Sequence, residues 1–185
     1  MYGDSKTKRT DRKLAAEERP GEPGRIGKAA FPGRRGRAGR LAFSLAFNIG
    51  MMLLLYRLFD PVFEGNDDIT IVQFANGACG SFDPHLVYQN YLMGLVLSFL
   101  YRTYQSFPWY SWMQFLALCA AFTAVTYVLC CRIRAGAGFA LALLIQSFAA
   151  YEYYINLQYT KTAGVLASAG MLLLWHRICF LLLCV

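Results

Sequence analysis

Two adjacent carboxylates in a short acidic loop are the side chains best suited to chemistry in this sequence. Asp67 and Asp68 follow Gly65-Asn66 and precede a short apolar stretch at 69–72. Two such carboxylates can hold a divalent cation, Mg²⁺ or Mn²⁺, through oxygen ligands. One of them could instead accept a proton from an incoming hydroxyl as a general base. Because glycine and asparagine permit a tight turn, the spacing predicts a catalytic or metal-binding site at Asp67 and Asp68.

Four further polar side chains are candidates with weaker signals. Asp83 precedes Pro84-His85, an order that predicts an N-cap and the first turn of a helix. His85 could bind a phosphate, a metal or a proton, or serve only as a polar anchor. Glu152 and Lys161 are charges in or beside apolar segments, and such charges are functional candidates. Glu152 and Lys161 could instead pair with each other. From residue type alone, we predict that His85 and Lys161 bind substrate.

Composition decides the class of protein that must position these residues. The 185 residues are 57% hydrophobic and only 16% charged, against about 25% charged in ordinary soluble domains. Twelve of the 18 Lys and Arg residues and five of the 11 acidic residues precede residue 41. The net charge of +7 therefore comes from the first forty residues, and the remainder is neutral and apolar. This pattern excludes a soluble enzyme and a disordered chain and indicates a membrane protein.

The apolar segments predict an all-α, polytopic helical bundle of about four to five transmembrane helices. A helix needs about 20 apolar residues to cross a hydrocarbon core of roughly 30 Å. We expect a transmembrane domain over 41–185, with an acidic extracytoplasmic loop at 60–85, and Asn48 facing other helices. The expected helices cover 41–59, 86–101, 109–131, 139–154 and 163–175, the last one extending to 185 in a longer reading.

Residues 1–40 predict a disordered basic tail, because they carry too few apolar side chains to fold. A basic segment before the first span places the N-terminus in the cytoplasm of a multi-pass cell-membrane protein and can contact anionic membrane lipids. No nucleic-acid partner is expected, since among aromatic residues only Phe31 accompanies the Arg-Gly run. Strict alternation of the spans places Arg132 and Arg134 outside, against the positive-inside rule. Either 86–101 is a half-span, or these two arginines do not follow the rule.

The chain resembles the GT-C superfamily of multi-pass membrane glycosyltransferases, specifically its uncharacterised bacterial branch, over residues 41–175. The resemblance lies in Asn66-Asp67-Asp68, in Gly77, and in the stretches DPHLVYQNYLMGLVLSFLY, FPWYSW and QYTKTAGVLASAG. It implies transfer of a sugar from a polyprenyl-phosphate donor to a cell-envelope glycan. It also implies that Asp67 and Asp68 act as catalytic base or metal contact in the first extracytoplasmic loop.

Enzymes of the GT-C type usually have eight or more spans, whereas this chain stops after about five, inside the apolar run FLLLCV. That ending is typical of a truncated product, which would be a fragment of such an enzyme. The short length and the lack of a second catalytic element favour an alternative: a non-enzymatic small polytopic membrane protein, either a transporter subunit or an assembly or scaffold component. Such a protein would form homo-oligomers and would not depend on Asp67 or Asp68.

Overall fold

The computed structural model describes residues 34–183, which form six helices and two very short strands. Helix α5 continues directly into a π-helical turn at Tyr151–Ile155. The helices are α1 (Arg34–Leu58), α2 (Asn66–Ala75), α3 (Tyr91–Thr103), α4 (Trp109–Arg132), α5 (Ala135–Ala150) and α6 (Tyr159–Leu183), and the strands are β1 (Val62–Phe63) and β2 (Asn156–Leu157).

Three of the described helices are long and apolar enough to cross a membrane. They contain the segments Gly36–Leu58, Trp109–Arg132 and Tyr159–Cys179. Helix α5 is apolar but has 16 residues, which corresponds to about 24 Å. The prediction of a mostly helical protein with membrane-length apolar segments is therefore confirmed for three helices, and the count of four to five spans is not confirmed.

Helix α4 is the centre of the bundle and packs against α1, α5 and α6. In the most apolar part of α4, 67% of the residues are buried, against 17% for α1 and for α6. A helix that is apolar on all sides is typical of such a central position. Its side chains Phe115, Leu118 and Phe122 form a core with Met52 of α1 and Tyr154 of the π-helical turn.

A buried polar network connects α1 to its neighbours. Asn48 is fully buried, and its Nδ2 donates to the Ser44 carbonyl at 2.7 Å and to Thr126 Oγ1 of α4 at 3.2 Å. Its Oδ1 accepts a hydrogen bond from Gln146 of α5. The prediction that Asn48 faces other helices is confirmed, and the contacts follow from the cost of leaving an amide unpaired among apolar groups.

Helix α3 does not span the bundle, so the expected second span at 86–101 is not confirmed. It has 13 residues, about 20 Å, and its residues Leu97 and Tyr101 share a buried cluster with Ile71 of α2 and Tyr110 of α4. Asp83 is not its N-cap, because the helix begins at Tyr91 and the Asn90 side chain accepts the capping bond from the amide of residue 92 at 2.9 Å. A Cβ at Gly94 would lie 1.8 Å from the carbonyl oxygen of residue 84, so α3 sits directly on the preceding loop.

Other predicted boundaries shift as well. Helix α1 begins at Arg34, so residues 34–40 continue the first helix rather than the predicted disordered tail; arginine and alanine are good helix formers. The rest of that tail lies outside the described residues. The predicted loop 60–85 contains β1 and α2. The predicted helix at 139–154 is α5, which begins earlier, at Ala135, and is followed by the π-helical turn, and the predicted helix at 163–175 is α6 with wider bounds.

The strands β1 and β2 form a parallel pair that no sequence pattern predicted. Val62 pairs with Asn156 and Phe63 with Leu157. The Glu64 amide also donates to the Leu157 carbonyl at 3.0 Å. Because this pair ties the segment after α1 to the segment before α6, it brings the start of α6 against α2.

The described acidic residues all lie at one end of the bundle, whereas basic residues occur at both. One end, which we call the basic end, carries Arg37, Arg40, Arg132, Arg134 and Arg177; Arg40 donates to the Cys130 carbonyl, and Arg132 donates to His176. Arg57, Arg102 and Lys161 lie at the other end. The opposite, acidic end carries every acidic residue of the described chain, namely Asp60, Glu64, Asp67, Asp68, Asp83 and Glu152. Since α3 returns to the acidic end, Arg132 and Arg134 lie at the same end as Arg40, in agreement with the half-span alternative.

Candidate functional site

Asp68 is the centre of a buried polar site at the acidic end. It lies in the first turn of α2, and its side chain is fully buried. Its Oδ1 accepts hydrogen bonds from the Tyr110 hydroxyl at 2.7 Å, from Gln114 Nε2 at 3.1 Å and from the Tyr159 amide at 3.2 Å. A buried carboxylate is tolerated only where such donors replace water. Asp68 therefore joins the first turns of three helices, α2, α4 and α6.

A second layer of hydrogen bonds holds these donors in place. Gln114 Oε1 accepts from Thr162 Oγ1 of α6 at 3.0 Å, which fixes the amide so that its NH₂ group points at Asp68. The Tyr110 amide donates to the Tyr101 hydroxyl of α3 at 3.2 Å. The other carboxylate oxygen, Asp68 Oδ2, is buried and has no hydrogen-bond partner among the described residues. Oδ1 of this carboxylate thus accepts three hydrogen bonds, and Oδ2 is still able to accept one.

Asp67 lies beside Asp68 in sequence but in a different environment. It is exposed in the first turn of α2, whereas Asp68 is buried. Both carboxylates lie within electrostatic reach of the Tyr159 phenol at the start of α6. The exposed carboxylate can meet a substrate from solvent or from the membrane surface, whereas the buried one holds its helix turn against α4 and α6 through Oδ1.

The predicted shared metal site does not fit this geometry well. Consecutive positions on a helix do not face each other, and here one carboxylate is exposed while the other is buried. Within residues 34–183 there is also no group of three or more His, Cys, Asp or Glu side chains placed to hold an ion. A site for Mg²⁺ or Mn²⁺ at Asp67 and Asp68 stays a prediction.

Lys161, predicted to bind substrate, lies in the first turn of α6 between two carboxylates. Its ammonium group contacts Glu64, just after β1, and Glu152, in the π-helical turn. The pairing of Glu152 with Lys161, the alternative reading of these residues, is therefore observed, and Glu64 completes a three-residue ion cluster. This cluster reinforces the connection that the β1–β2 pair makes, two residues along α6 from the Tyr159 amide.

His85, the other predicted substrate-binding residue, lies in a separate part of the acidic end. Asp83 Oδ1 accepts from the His85 amide at 2.8 Å and contacts His85 Nδ1 at 2.9 Å. The amide hydrogen bond, followed by the one from the ring, lowers the pKa of the Asp83 carboxyl. The His85 ring packs against Tyr91 at 4.9 Å between ring centroids. No described hydrogen bond or ion pair joins His85 to Asp67 or Asp68, so the structure does not bring it into the same site.

Sequence reasoning missed the residues that hold Asp68. Gln114 and Thr162 are uncharged polar side chains inside apolar segments, and that contrast was an available signal, since such groups rarely face lipid. Tyr110 belongs to the aromatic residues near the helix ends, where an interfacial role accounts for it equally well. The Tyr159 amide is a backbone group, and no sequence pattern indicates its partner.

Comparison of the chain with protein-family models, with curated proteins and with solved structures finds no match. The functional assignment therefore depends on the residues and geometry described above.

Proposed function

We propose that the chain is an integral membrane protein whose acidic end carries a glycosyl-transfer site of the GT-C type on the outer face of the cell membrane. The donor would be a sugar linked to polyprenyl phosphate, and the acceptor a hydroxyl of a cell-envelope glycan. One observation carries the proposal. Asp67 is an exposed carboxylate in the first turn of α2, and the hydrogen bonds of the buried neighbour Asp68 hold that turn against α4 and α6.

The orientation follows from charge. Basic residues in loops near the ends of membrane helices favour the cytoplasm. The basic end therefore faces the cytoplasm in this proposal, together with the N-terminus. The acidic end, with Asp67 and Asp68, then faces outward, where a lipid-linked donor presents its sugar.

Asp67 is the residue that meets the acceptor in this mechanism. The O–H bond of the acceptor breaks and its proton passes to the Asp67 carboxylate, while the acceptor oxygen bonds to the anomeric carbon of the sugar. The bond from that carbon to the phosphate oxygen breaks, and its electron pair leaves with polyprenyl phosphate. Asp68 touches neither substrate in this mechanism and is a positioning residue, because it is fully buried and its Oδ1 accepts hydrogen bonds from three donors of α4 and α6.

The test is sugar transfer by the full chain in proteoliposomes, with undecaprenyl phosphate carrying a radiolabelled hexose as donor and a short glycan as acceptor. Removal of a general base typically costs a factor of about 10²–10⁴, so Asp67→Asn should reduce transfer at least a hundredfold without changing stability. Asp60→Asn is the matched control, because Asp60 is an exposed acid of the same segment. Asp68→Asn should lower both transfer and stability, since it weakens the hydrogen bonds that hold α2.

Unchanged transfer in Asp67→Asn would refute the catalytic assignment. Loss of transfer in Asp60→Asn to the same extent would show that loop charge alone matters. A wild-type chain that transfers no hexose and forms stable oligomers in detergent would support the alternative of a non-enzymatic membrane assembly component.

Cys79 provides an independent test of the orientation. It is an exposed, free cysteine at the acidic end, whereas Cys119, Cys130 and Cys131 are buried. A membrane-impermeant maleimide should label the protein in intact spheroplasts, and Cys79→Ser should remove most of that label. Labelling that requires membrane permeabilisation would contradict the outward position of the acidic end.

A further inference from the structure

A large cavity at the basic end has no part in the proposed glycosyl-transfer site. It measures about 920 Å³, within the range of roughly 300–1,000 Å³ that is typical of small-molecule sites. It lies between α1, α4 and α6, and four exposed leucines form its apolar walls: Leu41, Leu45, Leu173 and Leu174. Because these walls are exposed on the outside of the bundle, the cavity is a groove open to the surrounding lipid.

The polar residues of this groove are basic or are hydrogen-bond donors. Arg37 of α1 and Arg177 of α6 line it together with His176, Tyr127 and Thr123. Arg132 donates to His176 Nδ1 at 3.0 Å and adds a further positive charge beside the groove. Within residues 34–183 every acidic residue lies at the opposite end of the bundle, so the local field of the described chain is positive.

Apolar walls next to clustered arginines match one type of molecule. We propose that the groove binds an anionic phospholipid of the cytoplasmic leaflet, with an acyl chain along the leucines and the phosphate at Arg37 and Arg177. Guanidinium groups bind phosphate oxygens through paired hydrogen bonds, and basic pockets between membrane helices recognise anionic headgroups. A free phosphate gains nothing from the leucine walls, and a zwitterionic lipid brings its own cation towards the arginines. This inference does not depend on glycosyl transfer; it shares with that proposal only the orientation, which places the basic end in the cytoplasmic leaflet.

The experiment is native mass spectrometry of the full chain in mild detergent, titrated with phosphatidylglycerol or with phosphatidylcholine of the same acyl chains. We expect phosphatidylglycerol to bind more tightly, and its affinity to fall about fivefold for each of Arg37→Gln and Arg177→Gln. Arg134→Gln is the matched control, because Arg134 is an exposed arginine at the same end that does not line the groove. Ala120→Phe tests the apolar wall, since Ala120 lines the groove and is exposed, so a larger side chain there blocks the acyl chain.

The outcomes separate the sources of the phosphate. If phosphatidylglycerol stays bound in an excess of glycerol phosphate, the proposal is supported. If the same excess of glycerol phosphate displaces phosphatidylglycerol, the proposal is overturned. Equal binding of the two phospholipids overturns it, and so does an equal loss of affinity in Arg134→Gln. If an arginine variant fails to fold, as judged by circular dichroism, Ala120→Phe decides alone: unchanged phosphatidylglycerol binding in that variant refutes the groove as the site.

Discussion

The hydrogen bond from Tyr110 to Asp68 provides the most direct test of the buried site. Tyr110→Phe removes only the hydroxyl that donates to Asp68 Oδ1 at 2.7 Å. A hydrogen bond to a charged group contributes about 1.5–3 kcal/mol. We expect a loss in the lower half of that range, because the Gln114 amide and the Tyr159 backbone amide still donate to the same oxygen.

A double-mutant cycle separates this bond from a general packing effect. With the neutral Asp68→Asn side chain as acceptor, Tyr110→Phe should cost only about 0.5–1.5 kcal/mol, the usual range for a neutral hydrogen bond. The free energy of unfolding would be measured by dodecyl sulfate titration in mixed micelles, followed through tryptophan fluorescence. Tyr88→Phe is the control, because Tyr88 is 71% exposed and surface substitutions stay within about 0.5 kcal/mol. A Tyr110→Phe effect no larger than this control, or an identical effect in both backgrounds, would refute the buried-carboxylate interpretation.

Three further predictions follow from the packing and the loop geometry. Gly94→Ala should destabilise the protein by about 1–3 kcal/mol, because its Cβ would lie 1.8 Å from a backbone carbonyl oxygen. Gly50→Ala, where no atom outside the helix's own backbone lies within 4 Å, should not destabilise the protein in the same dodecyl sulfate titration, because alanine is the better helix former. Asn48→Ala should lower the free energy of unfolding by about 0.6–1.7 kcal/mol, the range for hydrogen bonds between membrane helices, and an unchanged titration midpoint would contradict the network. The contacts with His85 lower the pKa of Asp83 in the folded state below its ordinary value of 3.8, so the stability it contributes is present above that value and is lost as the pH falls through the lowered pKa. Asp83→Asn should therefore reduce the loss of stability on acidification, and a wild-type and variant that lose stability in parallel below pH 4 would oppose this assignment.

Helix α3 shows where a hydropathy pattern is insufficient. Its residues are apolar enough to resemble a span, but the pattern reports only the composition of a helix and not what covers it. In the folded chain Leu97 and Tyr101 are buried against α2 and α4. Arg132 and Arg134 indicated that 86–101 is not a full span, because their position agrees with the positive-inside rule only if 86–101 does not cross the membrane.

The acidic pair shows a similar limit. The presence of two candidate carboxylates is evident in the sequence, yet nothing local distinguishes Asp67 from Asp68. The helix phase of α2 decides which of them faces inward, and the donors that hold Asp68 come from positions 42, 46 and 91 residues away. No pattern within the loop contains that information.

The sequence by itself indicated a mostly helical chain with apolar segments of membrane-spanning length, the charge difference between the N-terminal region and the rest of the chain, and the acidic pair. These properties depend only on which residue types the chain contains and on their order along it. Only the tertiary structure decided that α3 stays at the acidic end, that β1 pairs with β2, that Asp68 is buried while Asp67 is exposed, and that a basic groove opens between α1, α4 and α6. Each of these depends on contacts between residues far apart in the chain, because the helices can satisfy their buried polar groups only by meeting one another.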